Sequence, residues 1–175
     1  MRIIPKPRPG EYPEYAGMYI GLLPDDGRIL EHLKNNFIAV KELIGTLPQE
    51  KLLYRYAEGK WSIKEILVHI VDDERIYAYR ALRFARNEKE SLIGFDQDSY
   101  AKYSEADSRD LDSIFEEYEA VRNSTIALFN GLPEDSLTRM GHGSGTAGSA
   151  TVRAMAYHIA GHELHHLNII KERYL

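Results

Sequence analysis

The chain contains no cysteine. That absence rules out a disulfide framework, a thiolate metal site and a cysteine nucleophile. It also lacks any apolar stretch near the ~20 residues that a helix needs to cross a bilayer, and its N-terminus lacks the apolar core of a signal peptide. A cytoplasmic location is the expectation. Net charge is −5 with both signs mixed along the sequence, so no basic stripe suits nucleic acid and no polybasic run suits an anionic membrane. Neither partner is expected. With 175 residues the chain can build one sizeable core and is too short for two, so a single domain over 1–175 is expected.

Residues 1–24 carry Pro5, Pro7, Pro9, Pro13 and Pro24 with Gly10, Gly17 and Gly21, a composition that predicts an extended arm with no helix. Tyr12, Tyr15, Met18, Tyr19, Ile20, Leu22 and Leu23 are too apolar for a free tail, so the arm should lie against the body or a second subunit.

Four amphipathic segments follow. The first, capped by Asp25 or Asp26, places Ile29, Leu33, Phe37, Val40 and Ile44 at helical spacing and stops at Gly45 and Pro48. The second starts at Ser62, where Ser62-Ile63-Lys64-Glu65 has the form of a capping box, and continues beyond Phe84. After a loop near Gly94 to Asp107, the third runs from Leu111 to Leu132 and ends at Pro133. The fourth opens near Ser149 or Thr151 and carries Val152, Met155, Ile159, His162, His166 and Ile169 on one stripe. No segment alternates as a strand should. An all-α four-helix bundle is the expected fold.

Four histidines fall within nine residues near the C-terminus: His158, His162, His165 and His166. On an ideal helix they share a sector of roughly 100°. The i, i+4 pair His162 and His166 sets two imidazoles one turn apart, close enough to grip one ion. Leaving two neutral imidazoles buried without partners would be unfavourable. A third ligand should come from another helix facing the same core, and His69, in Ile66-Leu67-Val68-His69-Ile70-Val71, needs such a partner. Three imidazoles leave a position for water or substrate, the arrangement of a catalytic rather than a closed structural site. Such a donor set suits zinc or nickel first, then iron or manganese.

Two motifs are decoys. His162-Glu163-Leu164-His165-His166 reads as H-E-x-x-H, yet Ile169 stands where the extended metalloprotease motif has Gly and Glu172 where it has His. Gly143-Ser144-Gly145-Thr146-Ala147-Gly148 reads as G-x-G-x-x-G, but no strand or βαβ unit surrounds it, so it is expected to be a connector. His142 beside it could flank the mouth of a site, although a solvated position is the simpler expectation. Asp73, at i+4 from His69, could accept a hydrogen bond from a ligating imidazole or simply be solvated. Glu163 points about 80° away from the mean direction of His162 and His166, a poor place for a base. His158 and His165 receive no assigned role, and no catalytic residue is assigned.

Ala57-Glu58-Gly59-Lys60-Trp61-Ser62-Ile63-Lys64-Glu65-Ile66-Leu67-Val68-His69, followed by Asp72-Asp73-Glu74-Arg75, together with His158-x-x-x-His162-x-x-x-His166 and the entry segment Met18-Tyr19-Ile20-Gly21-Leu22-Leu23-Pro24, resembles DinB-like proteins. The resemblance implies an up-up-down-down bundle, often dimeric, with a divalent metal on three histidines that match His69, His162 and His166. It also implies a thiol-dependent S-transferase of the bacillithiol or mycothiol type, a related isomerase or a metal-dependent hydrolase. The expected partners are a small-molecule substrate, a low-molecular-weight thiol and a second copy of the chain. A metal-binding stress-response protein without turnover, and a bundle with purely structural histidines, are the alternatives.

Overall fold

A computed structural model describes residues 1–144 and 148–175. The helices are α1 (Gly17–Ile20), α2 (Ile29–Ile44), α3 (Gln49–Leu52), α4 (Ile63–Ala85), α5 (Gln97–Tyr103), α6 (Leu111–Gly131) and α7 (Val152–Arg173). The long ones, α2, α4, α6 and α7, form a four-helix bundle. Each begins and ends for a local reason. At α4 the capping box closes, with the Glu65 N–H donating to Ser62 Oγ (3.1 Å) and the Ser62 N–H to Glu65 Oε2 (2.8 Å). At α7 Thr151 Oγ1 accepts from the Ala154 N–H. Helix α2 starts later than its aspartates suggest: Asp26 accepts the Arg28 N–H in a turn, and Arg28 holds the N-cap position with no side-chain cap.

Helix α4 packs on α6 and α7, and α2 closes the ring against the same two. Cross-links show the directions. Asn36 of α2 donates to the Ala160 carbonyl of α7 and Lys51 to that of Tyr174, so α2 and α7 run together. Lys64 at the start of α4 donates to the Arg109 carbonyl just before α6, and Glu74 meets Arg122 further along, so α4 and α6 also run together. His69 near the start of α4 meets His162 in the second half of α7, so that pair is antiparallel. The order is up, down, down, up rather than up-up-down-down. Periodicity fixes which face of a helix is buried but not its direction, and the long connection 86–110 carries the chain back to start α6 parallel to α4.

Three further local differences have clear causes. The arm is not wholly extended: Glu14–Ala16 make a 3₁₀ turn and α1 follows, because no proline falls between Pro13 and Pro24. The loop after α4 holds α5, which Asp96 caps through the Asp98 and Ser99 N–H groups. Strands β1 (Met140–His142) and β2 (Ser149–Thr151) pair antiparallel as a small hairpin before α7. Gly141 sits there against the Phe84 ring, where any Cβ would lie 1.9 Å from a ring carbon. The G-x-G-x-x-G loop falls in this hairpin, and its residues 145–147 lie outside the described residues.

The arm lies on α7. Tyr157 donates to the Ile4 carbonyl (2.8 Å), the Arg153 guanidinium clasps Glu11, and Ile4, Ile20 and Leu23 are buried. At Gly161 a Cβ would stand 2.3 Å from the Tyr19 carbonyl oxygen, so only glycine lets α1 approach this closely. Among the described residues no helix is long and apolar enough to cross a membrane.

Candidate metal centre

Helices α4 and α7 meet at three imidazoles. His162 Nε2 lies 3.1 Å from His69 Nε2 and 3.0 Å from His166 Nε2, and the three donor atoms all lie within 4.8 Å of one another. The one-turn spacing on α7 aligns His162 with His166, while the antiparallel packing of α4 delivers His69 from across the core. Burial lowers the His69 pKa, pushes His162 down to about 3 and pushes His166 down to about 2. All three rings are therefore neutral at pH 7 and carry a lone pair each.

Asp73 faces the outer nitrogen of His162. Its Oδ2 lies 3.3 Å from His162 Nδ1. A carboxylate facing Nδ1 favours the tautomer with the proton there, leaving the Nε2 lone pair turned toward the other two rings. Burial alone would raise the Asp73 carboxyl, but the His162 and His158 rings facing it outweigh burial, and it sits below the usual carboxylate range. The nitrogen separations also suit an ion. Zinc–imidazole bonds of ~2.05 Å in a tetrahedral shell place ligand nitrogens roughly 3.3 Å apart, close to the 3.0 and 3.1 Å found here.

Trp61, the residue before the α4 cap, covers one side, with its ring centroid 4.7 Å from His69 and 6.3 Å from His166. Tyr19 of the arm packs T-shaped against His158, His162 and His165, with centroids 5.2 to 5.3 Å apart. Two cavities flank the cluster. One of about 210 Å³ opens between Trp61, Asp98, Ile66 and His166. The other, about 270 Å³, touches His162 and Asp73 and is walled by Tyr15, Tyr19, Tyr77 and His158, with Phe95 and Gln97 from the α5 side.

The remaining candidates separate clearly. His158 is buried beside Asp73 and stacks on Tyr77, outside the converging trio. His165 is half-buried against Tyr19, and its pKa is lowered by burial. His142 is exposed on the hairpin, bonded to Ser149 Oγ, and lines neither cavity. Glu163 is fully buried on another face of α7, where Tyr118 and Arg122 hold its Oε1. Sequence reasoning did not single out Trp61, Tyr19 or Tyr77. Trp61 was detectable in principle as the lone tryptophan beside a helix cap, but the tyrosines are scattered among twelve.

With this geometry in view, the DinB superfamily profile matches residues 33–170. The chain belongs to the DinB superfamily. A protein of Oceanobacillus iheyensis, OB0413, provisionally named a metal-dependent hydrolase, is 28% identical over 131 residues, covering 74% of each chain. The fold matches that of YfiT from Bacillus subtilis, described as a probable metal-dependent hydrolase with an unusual four-helix bundle topology. That match has a TM-score of 0.77 and 16% identity over 85% of each chain. The DinB match takes in all three histidines and begins after the arm, so Tyr15 and Tyr19 lie outside it.

Proposed function

We propose that this DinB protein is a divalent-metal-dependent hydrolase of small molecules, with His69, His162 and His166 as the ligands. The observation that carries this reading is the convergence of three neutral Nε2 atoms, one of them oriented by a buried carboxylate. The relation to OB0413 supports hydrolysis as the reaction. An ion held here would supply Lewis acidity toward a substrate carbonyl and toward water. The chain's own groups have separate tasks. The three imidazoles would hold the ion, and Asp73, facing His162 Nδ1, would favour the tautomer that leaves Nε2 free. Trp61 shields His69 and His166 from bulk water on one side, and the two cavities give a small substrate room beside the cluster. Glu163 has no role in proton transfer, because it faces away and is held by Arg122 and Tyr118.

The test combines elemental analysis with two substrate panels, one of esters and amides and one of electrophiles, each with and without a low-molecular-weight thiol. The expected result is about one zinc, nickel, iron or manganese ion per chain and thiol-independent hydrolysis that chelation and His69→Ala abolish. Turnover only with a thiol would make the protein an S-transferase, the thiol necessarily external in a chain without cysteine. A bound metal with no turnover in any panel would favour a non-catalytic metal-binding protein.

A further inference from the structure

Beside the histidine cluster lies a pocket whose lining implies a particular ligand chemistry. Tyr15 and Tyr19 come from the arm, Tyr77 from α4 and His158 from α7, with Phe95 and Gln97 from the α5 side. At about 270 Å³ it stands at the small end of ligand pockets. Its walls are mainly aromatic faces and edges. Tyr77 stacks flat on His158, with centroids 3.7 Å apart, and the Tyr15 and Tyr77 hydroxyls meet at 2.9 Å.

The polar groups in the pocket are unusually open. His158 is 4% exposed and neither ring nitrogen closes a hydrogen bond. Asp73 Oδ2 stands 3.4 Å from His158 Nε2 and 3.3 Å from His162 Nδ1, and closes a hydrogen bond with neither. Buried polar groups are nearly always satisfied, so two orphans at the wall of a cavity indicate a ligand that completes them. Among the described residues Asp73 is the only charged side chain lining the pocket, and it is a carboxylate, which accepts but does not donate. Arg80 lies over Tyr77, its guanidinium carbon 5.0 Å from the ring centroid, and is tied to the Ile93 carbonyl.

We propose that this pocket recognises a small molecule bearing an organic ammonium group, held against Tyr15 and Tyr19 and bonded through its N–H groups to Asp73 and His158. Aromatic walls attract a cation through their ring quadrupoles, and a buried carboxylate repels an anion. Tyr15 and Tyr19 belong to the arm, outside the residues matched by the DinB profile. The proposal rests on the metallohydrolase reading only in placing this pocket next to the reacting bond.

Calorimetry on the zinc-loaded protein tests it without turnover, so a failure to hydrolyse anything leaves this result readable. The probes are benzylamine, benzyl alcohol, phenylacetate and benzyltrimethylammonium, the last unable to ligate zinc. Both cations should bind at least about tenfold more tightly than phenylacetate. Tyr19→Ala and Asp73→Asn should each erase that preference, while Tyr19→Phe, which keeps the ring, retains it. His158→Ala should weaken benzylamine and His158→Gln recover part of the loss. Phenylacetate binding as tightly as benzylamine, or cation binding indifferent to Tyr19→Ala and Asp73→Asn in variants that melt like the parent, overturns the proposal.

Discussion

His162 and Glu163 are neighbours in the chain and belong to two different buried polar clusters on separate faces of α7. On one side His162 joins His69, His166 and Asp73, and beside them His158 and Asp73 keep unmet hydrogen-bonding capacity at a cavity. On the other, Arg122 lies between Glu74 and Glu163 and also donates to the Leu33 carbonyl, tying α6 to α2, α4 and α7. Glu74 receives Arg122 Nε and Nη2 at 2.9 to 3.1 Å. Glu163 takes Arg122 and Tyr118 on Oε1, and burial raises its pKa. Neither cavity beside the histidines is lined by any of these residues. Burial alone does not distinguish a site from a brace. The difference is access: the charged cluster has spent nearly all its donors and acceptors on helix-to-helix contacts, and the histidine cluster has not.

The largest effect should come from breaking the brace. Arg122→Met leaves two buried carboxylates without a counter-charge and should cost about 3–5 kcal/mol of stability by chemical denaturation. Replacing Glu74 and Glu163 by Leu in the same chain should recover most of that loss. Metal bound per folded molecule should stay unchanged, and a loss of metal in the stable triple variant would show the two clusters are coupled.

At the open cluster the effects should fall on metal rather than on the fold. His69→Ala should weaken zinc by more than about 100-fold in competition with a chromophoric chelator. The metal-free variant should lose much less stability than Arg122→Met, since the contact removed is between two neutral imidazoles and strands no charge. Asp73→Asn should lower zinc affinity by about 10–100-fold through the His162 tautomer; no change would mean that Asp73 does not orient the ring.

The mildest change is with pH. His162 and His166 have folded pKa values of about 3 and about 2, while unfolded histidine titrates near 6.5. Between those limits the unfolded chain binds more protons, so metal-free stability should be fully present above about pH 6.5 and fall as pH drops toward the folded values. Glu163, whose carboxyl is raised, acts in the opposite sense. Bound metal should be displaced over the same acid range. Melting curves of metal-free protein that are flat from pH 7.5 to 5 would contradict the assignment of neutral buried rings.

Much of this comparison was legible before any coordinates. The i, i+4 spacing of His162 and His166 on an apolar stripe implies a shared face, because helix geometry alone sets it. The capping box at Ser62 and the stops at Gly45 and Pro133 depend on backbone chemistry within a few residues, and they locate three helix ends. Glu163 follows as a residue facing away. The brace was not legible. Arg122 lies in Tyr118-Glu119-Ala120-Val121-Arg122-Asn123, where nothing local marks it as buried, and its carboxylates come from helices 48 and 41 positions away in sequence. Nor could spacing show that Tyr15 and Tyr19 leave a proline-rich arm to wall a pocket beside the histidines.

The sequence by itself determined the four long helices, their buried faces and the pairing of His162 with His166, since these follow from the period of the helix and from caps acting over one turn. Only the tertiary structure decided that α4 runs antiparallel to α7 and so brings His69 to that pair. It also decided that Asp73 meets His162 rather than solvent, that Arg122 joins two buried carboxylates, and that the arm closes over α7. Each of these is a contact between residues far apart in the chain, and such contacts depend on how whole helices pack once their apolar faces are removed from water.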